Sequence, residues 1–381
     1  MRRPADVRVV DEGLLAEIAA AGDAIEAGRR LPSALVARLA GAGLFRLLVP
    51  REVGGEEADL RTFAEAIEEV AAVDASTAWC LYQCGVSALA VALCVAPEAA
   101  AEVFADPAVV VASGAGRGTS VVAPEGAHRI SGTWAVASGI HCATWLMANT
   151  RPRGDDSGPV IGRMSVVPVG AAEVGDDWHV SGLRGTGSDT YRLDDVLVPA
   201  AYGAPYSALE TLPGRAPVGR FATVTLYGVG VAAVALGVAG AALDALVELA
   251  ATKTPGTGAG RLGERPAAQA SVGRSATSLA AARAHLHGRI DAAWAEACAG
   301  GVSNGVRMEL RGAIGHAIEV SAAVVEAVHA TAGISALYVG LPFERRVRDM
   351  HAVIQHPQSA GVHFEAVGRS RLGDVDAIEG L

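Results

Sequence analysis

The hydrophobic rhythm of the chain changes twice. Over residues 11–39 and 60–73, apolar side chains recur at three- and four-residue steps among Ala, Glu and Leu, which predicts amphipathic helices. Asp74-Ala-Ser76 interrupts the pattern, residues 77–94 resume an apolar helical run, and Asp106-Pro107 ends it. From about Val109 to Pro199 helix formers fade and Gly, Thr, Ser, Val and Trp take over. Stretches 129–136, 160–167 and 192–198 read as short strands between turns, so an antiparallel all-β insert of about 90 residues is expected. Helical periodicity returns from about Ala216, with residues 254–260 as a loop between two long helices. The predicted class is mainly α with a central β domain, divided as 1–108, 109–205 and 206–381.

Residues 221–243 carry no charged side chain over 23 positions, long enough to cross a bilayer. Yet Ala, Gly and Val dominate, with glycines at 228, 230, 237 and 240. Small residues all round suit the centre of a bundle or an oligomer interface, and a buried helix is predicted, with no membrane partner. At 51% hydrophobic and 19% charged residues, with mean hydropathy +0.32, the chain has material for a large core. A net charge of −10 argues against a nucleic-acid partner, which would need concentrated Lys and Arg. Five cysteines (80, 84, 94, 142, 298) form no CxxC pair, and the basic start is not followed by an apolar run. Reduced thiols and a cytoplasmic location are expected.

The segment 341–356, Leu-Pro-Phe-Glu-Arg-Arg-Val-Arg-Asp-Met-His-Ala-Val-Ile-Gln-His, concentrates chemistry. Arg345, Asp349, Ala352 and His356 recur at steps of four, three and four, so they share one helix face. Pro357 pushes His356 out of the α region, to a helix end or kink. Two readings fit: an ion-paired surface helix with a polar cap, or an active-site edge. Elsewhere, Gly114-Ala-Gly-Arg-Gly118 has the wrong spacing for a nucleotide loop, and a Val-rich strand follows it. His285-x-His287 and His316-x-x-Glu319 lack a third ligand at metal spacing, so no metal is expected.

Five blocks in register resemble one family. Residues 129–145, Arg-Ile-Ser-Gly-Thr-Trp-Ala-Val-Ala-Ser-Gly-Ile-His-Cys-Ala-Thr-Trp, are similar to the β-domain signature of flavin-dependent monooxygenases built on the acyl-CoA dehydrogenase fold. Residues 48–55, Leu-Val-Pro-Arg-Glu-Val-Gly-Gly, resemble its N-terminal P-x-x-x-G-G loop. Residues 182–199 resemble the end of its β domain, 261–269 the entry to its C-terminal bundle, and Arg348-Asp349 its Arg-Asp helix. The resemblance implies N-terminal helices, a small antiparallel β-barrel domain and a C-terminal four-helix bundle that assembles homotetramers. It implies reduced FMN or FAD as cofactor, O2 and a small organic substrate, and a flavin C4a-hydroperoxide as oxidant. With no NAD(P)H fingerprint in the chain, a separate NAD(P)H-dependent flavin reductase is the implied partner.

Residue by residue, Ser138-Gly139 lets backbone approach a flat ring, and a serine hydroxyl suits flavin N5 as its protonation cycles. Trp134 and Trp145 would flank the ring; the plainer alternative is a polar turn with two core tryptophans. Ser113, Gly114, Arg184 and Ser188 are further cofactor candidates. Arg261 is expected to reach the flavin phosphates of a neighbouring subunit, or to be a solvated loop residue. Related dehydrogenases place a catalytic Glu where Pro357 stands, so His356 becomes the expected general base. Some relatives carry a second His on the helix matching 77–94; here Trp79, Tyr82 and Gln83 stand there as substrate candidates, and His141 is a candidate for the missing imidazole. The alternatives are an acyl-CoA dehydrogenase with a relocated carboxylate such as Glu344, and a non-catalytic binding protein of the same fold.

Overall fold

The computed structural model describes residues 9–116, 118–153, 162–210, 212–214, 216–256 and 260–373. Expectations placed on the first eight residues, on Arg117, on 160–161 and on 257–259 lie outside them. The N-terminal part is helical: α1 (Glu12–Ala20), α2 (Gly22–Gly28), α3 (Ser33–Gly41), α4 (Leu60–Val73), α5 (Ala75–Cys94) and α6 (Pro97–Val103). The break read at Asp74 is a helix boundary. Its carboxylate accepts from the Thr77 amide at 2.7 Å and the Thr77 hydroxyl at 2.8 Å, capping α5. Almost every side chain of α5 through Val91 is buried, so this helix threads the centre of the molecule.

The middle third forms a nine-stranded sheet: β1 (Val111–Ser113), β2 (Ala115–Gly116), β3 (Gly118–Val122), β4 (His128–Ala135), β5 (Trp145–Pro152), β6 (Arg163–Pro168), β7 (Glu173–Val174), β8 (Tyr191–Val198) and β9 (Gly203–Pro205). It is mixed, which corrects the antiparallel expectation. β1 and β3 each run parallel to β5, while β4 pairs antiparallel with β3 and β8. The β3–β4 hairpin leaves β5 to return along the free edge of β3, and a crossover of that kind has no local signal in the sequence. Alternation along β4 puts Ile130 and Trp134 inside.

Three long helices, α7 (Thr223–Thr252), α8 (Pro266–Cys298) and α9 (Asn304–Ala332), pack with the shorter α10 (Pro342–Val353) as the C-terminal bundle, and α11 (Val362–Arg371) lies on α9. The charge-free stretch read at 221–243 lies mostly in α7, whose apolar window is 89% buried between α4, α5 and α9. All five cysteines are free thiols.

Candidate active site

Four segments meet around the buried end of α5. They are α5 itself, the turn after β4, the loop 181–189 before β8, and the turn 356–358 beyond α10. Ser138 is their junction. Trp79 Nε1 donates to Ser138 Oγ at 3.1 Å, Ser138 and Ser188 hydroxyls lie 2.8 Å apart, and Ser188 and Thr186 hydroxyls 2.7 Å apart. Thr186 Oγ1 donates to the Leu183 carbonyl at 2.9 Å. A carbonyl only accepts and an indole N–H only donates, so one direction satisfies every contact: Trp79 to Ser138 to Ser188 to Thr186 to Leu183. The Ser138 proton is thereby committed, and its remaining lone pair can only accept.

The neighbouring backbone is strained. Val136 has φ +55°, rare for a β-branched residue, and keeps half its side chain exposed where β4 ends. Gly139 has φ +75°, and its amide donates to the Thr186 carbonyl at 2.9 Å. A Cβ there would sit 2.8 Å from Cys84 Sγ, so only glycine lets this turn lie on α5. A second hydroxyl cluster lies about two turns further along α5, at Ser87. Ser87 donates to the Gln83 carbonyl at 2.9 Å and lies 2.9 Å from Ser113 and 3.1 Å from Tyr227, which must both donate to it.

His356 stands just beyond α10, as Pro357 requires, with φ −68° and ψ 142°. Its ring meets Trp79 edge-to-face at 5.5 Å. Burial pushes its pKa down to about 4, and its Nδ1 accepts from the Gln358 amide at 3.2 Å. Neither suits the general base expected from the sequence. The Arg-Asp face upstream is neither surface nor reaction centre. Arg345 pairs with Asp74 at 2.6 Å and faces Asp349 at 3.7 Å, while Asp349 accepts from the Leu183 amide at 2.7 Å. Burial raises Asp349 to about pH 7. This hub ties together the helix bearing Trp79, the loop bearing Ser188 and the helix leading to His356.

Several expected residues lie elsewhere. Trp134 has no exposed surface; it stacks on Tyr191 at 5.1 Å and donates to the Asn149 carbonyl, so it is a core residue and not a ring flank. Trp145, half-buried, stacks on Tyr202 at 5.9 Å. Tyr82 is fully enclosed against Gly230 of α7, so it backs Trp79 and Gln83 and cannot itself line a substrate cleft. Gly114 packs over Trp134 and Tyr191. Arg184 bonds the Glu26 carbonyl, 3.3 Å, and faces its carboxylate, 3.5 Å. His141 is held by Asp189 at 2.6 Å, an oxygen pair whose other member accepts the Asp177 and Trp178 amides. Arg261 is exposed and closes a capping box with Glu264. Glu344 is taken by Arg348 at 2.7 Å. Among the described residues no cluster of three His, Cys, Asp or Glu side chains is placed to hold a metal. Sequence reading missed Val136, Thr186, Tyr227 and the Arg311–Gln358 pair; only Thr186, between Gly185 and Gly187, carried a turn signal.

The order helices, sheet, bundle places the chain in the acyl-CoA dehydrogenase class. Its N-terminal domain family matches residues 7–102 and its C-terminal domain family residues 229–360. Indole-3-acetate monooxygenase of Pseudomonas putida is 32% identical over 336 residues, 87% of this chain and 84% of its own. The flavin-dependent monooxygenase oxygenase subunit HsaA of Mycobacterium tuberculosis is 32% identical over 367 residues, 93% of this chain and 92% of its own. The structure of XiaF from Streptomyces sp., in complex with FADH2 and glycerol, superposes with TM-score 0.87 at 28% identity, covering 95% of this chain and 93% of that one. The chain belongs to the flavin-dependent monooxygenases of acyl-CoA dehydrogenase fold. Its cofactor is a reduced flavin, and the residues fit one: Ser138 accepts but does not donate, as a ring nitrogen bearing hydrogen requires, and the surrounding hydroxyls are neutral.

Proposed function

We propose that the protein hydroxylates a small aromatic molecule with one atom of O2, using reduced FMN or FAD delivered by a separate NAD(P)H-dependent reductase. The observation that carries this reading is the junction of Ser138, Trp79 and His356, three uncharged groups that three segments bring into contact. Reduced flavin, when bound, supplies the electrons that activate O2. Ser138 would accept from the flavin edge, and Val136 would offer the adjacent ring an apolar face. The edge of Trp79 and the imidazole of His356 would hold the substrate ring and keep water out. An uncharged aromatic suits this lining. A phenol or indole is the class favoured by relatives named for indole-3-acetate and for resorcinol.

Exposed Ile334, Leu337, Tyr338 and Val339 follow α9, and the apolar window of residues 304–337 is only 33% buried within one chain. Such a surface supports a homotetramer assembled through the bundle. Five free thiols support a cytoplasmic location. The test is turnover of a panel of phenols and indoles under 18O2 with reductase, NADH and either flavin. One labelled oxygen in a hydroxylated product is expected. Unlabelled product, or oxidation of an acyl-CoA in its place, would overturn the reading.

A further inference from the structure

The turn that carries His356 is held from two sides. Pro357 fixes His356 in extended backbone, and from there the imidazole folds over the 3-10 turn Pro357–Ser359 as its cap, Nδ1 taking the Gln358 N–H. Gln358 is buried, with its side-chain oxygen against Gly228 of α7, and it accepts from Arg311 Nη1 of α9. Arg311 is itself only 4% exposed, and burial lowers it to about pH 10. Among the described residues no carboxylate pairs with it. A buried guanidinium whose partner is a neutral amide is costly, and structures keep such a group where it fixes something. Here it fixes Gln358. On the far side His363 of α11 donates Nε2–H to the Pro357 carbonyl at 3.0 Å.

A backbone N–H can only donate, so Nδ1 must keep its lone pair, and the proton of neutral His356 sits on Nε2. Protonating the ring would set an Nδ1–H against the Gln358 N–H. We infer that the Arg311–Gln358 pair is a positioning device that holds His356 as an Nε2–H hydrogen-bond donor toward substrate or the reacting oxygen, and that His356 takes no proton in the reaction. This rests on His356 lining the site proposed above. The groups around the turn agree with it: Trp79 from α5, Gly228 from α7, Arg311 from α9 and His363 from α11 offer no carboxylate, and Asp349 of α10 is engaged by Leu183 and Arg345.

Long-range 1H–15N correlation on protein labelled at histidine tests this without flavin or substrate, so it stands apart from whether the protein hydroxylates. The His356 signal is assigned by its loss in His356→Gln. The expected result is a single tautomer, protonated at Nε2 and bare at Nδ1, unchanged from pH 8 to pH 5. A proton on Nδ1, or titration near the ordinary histidine value, overturns the inference. Gln358→Leu should mix the tautomers and lower kcat more than it raises KM, and Gln358→Glu, which still accepts from Arg311, should restore the single tautomer. An unchanged His356 signal in a folded Gln358→Leu protein would refute the positioning role. In turnover, His356→Gln, which keeps an N–H at that reach, should fall about tenfold and His356→Ala about a hundredfold. Equal losses would instead mark a base.

Discussion

Ser138 illustrates how hydrogen-bond direction can be read from neighbours. Its proton is drawn toward Ser188, Thr186 and the Leu183 carbonyl, which leaves it an acceptor. Reduced flavin has a hydrogen at N5 and oxidised flavin does not, so the relay should favour the reduced form. Thr186→Val breaks the relay and frees the serine proton; the ratio of reduced to oxidised flavin affinity, measured by anaerobic titration, should fall by about fivefold, roughly one hydrogen bond. Two buried groups give opposite pH dependences. His356 is depressed to about 4, so the stability it contributes is present above the unfolded value and is lost as pH falls through about 4. Asp349 is raised to about 7, so the folded state binds the extra proton and stability declines as pH rises from about 4 to about 7. Over most of that range the two slopes oppose each other, so thermal melts should show a limb rising with pH in Asp349→Asn and a limb declining with pH in His356→Gln. Ser138 and Ser188 could be singled out because a Ser-Gly turn and a Gly-rich loop advertise close backbone approach, and the structure brings their hydroxyls within 2.8 Å of each other. Trp134 was misread because spacing gives a side chain's type and parity but not which ring lies over it.

At the scale of elements, the Arg-Asp helix does its work by docking. Arg345 reaches Asp74, the cap of α5, 271 residues away in sequence, and Asp349 holds the Leu183 amide. The close approach depends on Gly182, where a Cβ would lie 1.9 Å from the Arg348 carbonyl. Gly182→Ala should push α10 off the 181–189 loop and lower turnover at least about tenfold while the chain stays folded, by circular dichroism. Asp74→Ala removes the cap and the shortest ion pair of Arg345, leaving it only the longer contacts to Asp349 and Glu26. A loss of about 3–5 kcal/mol in denaturant unfolding is expected. A drop below about 1 kcal/mol would mean that the hub is mere surface pairing. Steps of four and three sufficed to read the helix and the shared face. They could not supply the partners, because Asp74, Leu183 and Glu26, which pairs with Arg348 at 2.9 Å, come from segments joined only in the fold.

Across the whole molecule, the alternation of helical, strand and helical rhythm announced the architecture, since each period needs its own packing partner. The parallel pairing of β1 and β3 with β5 stayed invisible, because it is settled by which edge is left free after the β3–β4 hairpin closes. The apolar surface at 334–339 makes a prediction at this scale. Leu337→Glu with Val339→Glu should reduce the assembled mass in light scattering and leave the single-chain fold intact; an unchanged mass would remove this segment from the interface. The central claim is that this fold spends reduced flavin on O2. Stopped-flow mixing of the protein and anaerobic reduced FMN or FAD with oxygenated buffer tests it most directly. The account predicts a transient near-ultraviolet absorbance, distinct from reduced and oxidised flavin, that outlives the reoxidation of free flavin. Reoxidation at the free-flavin rate with no transient, together with anaerobic bleaching of oxidised flavin by an acyl-CoA, would contradict it.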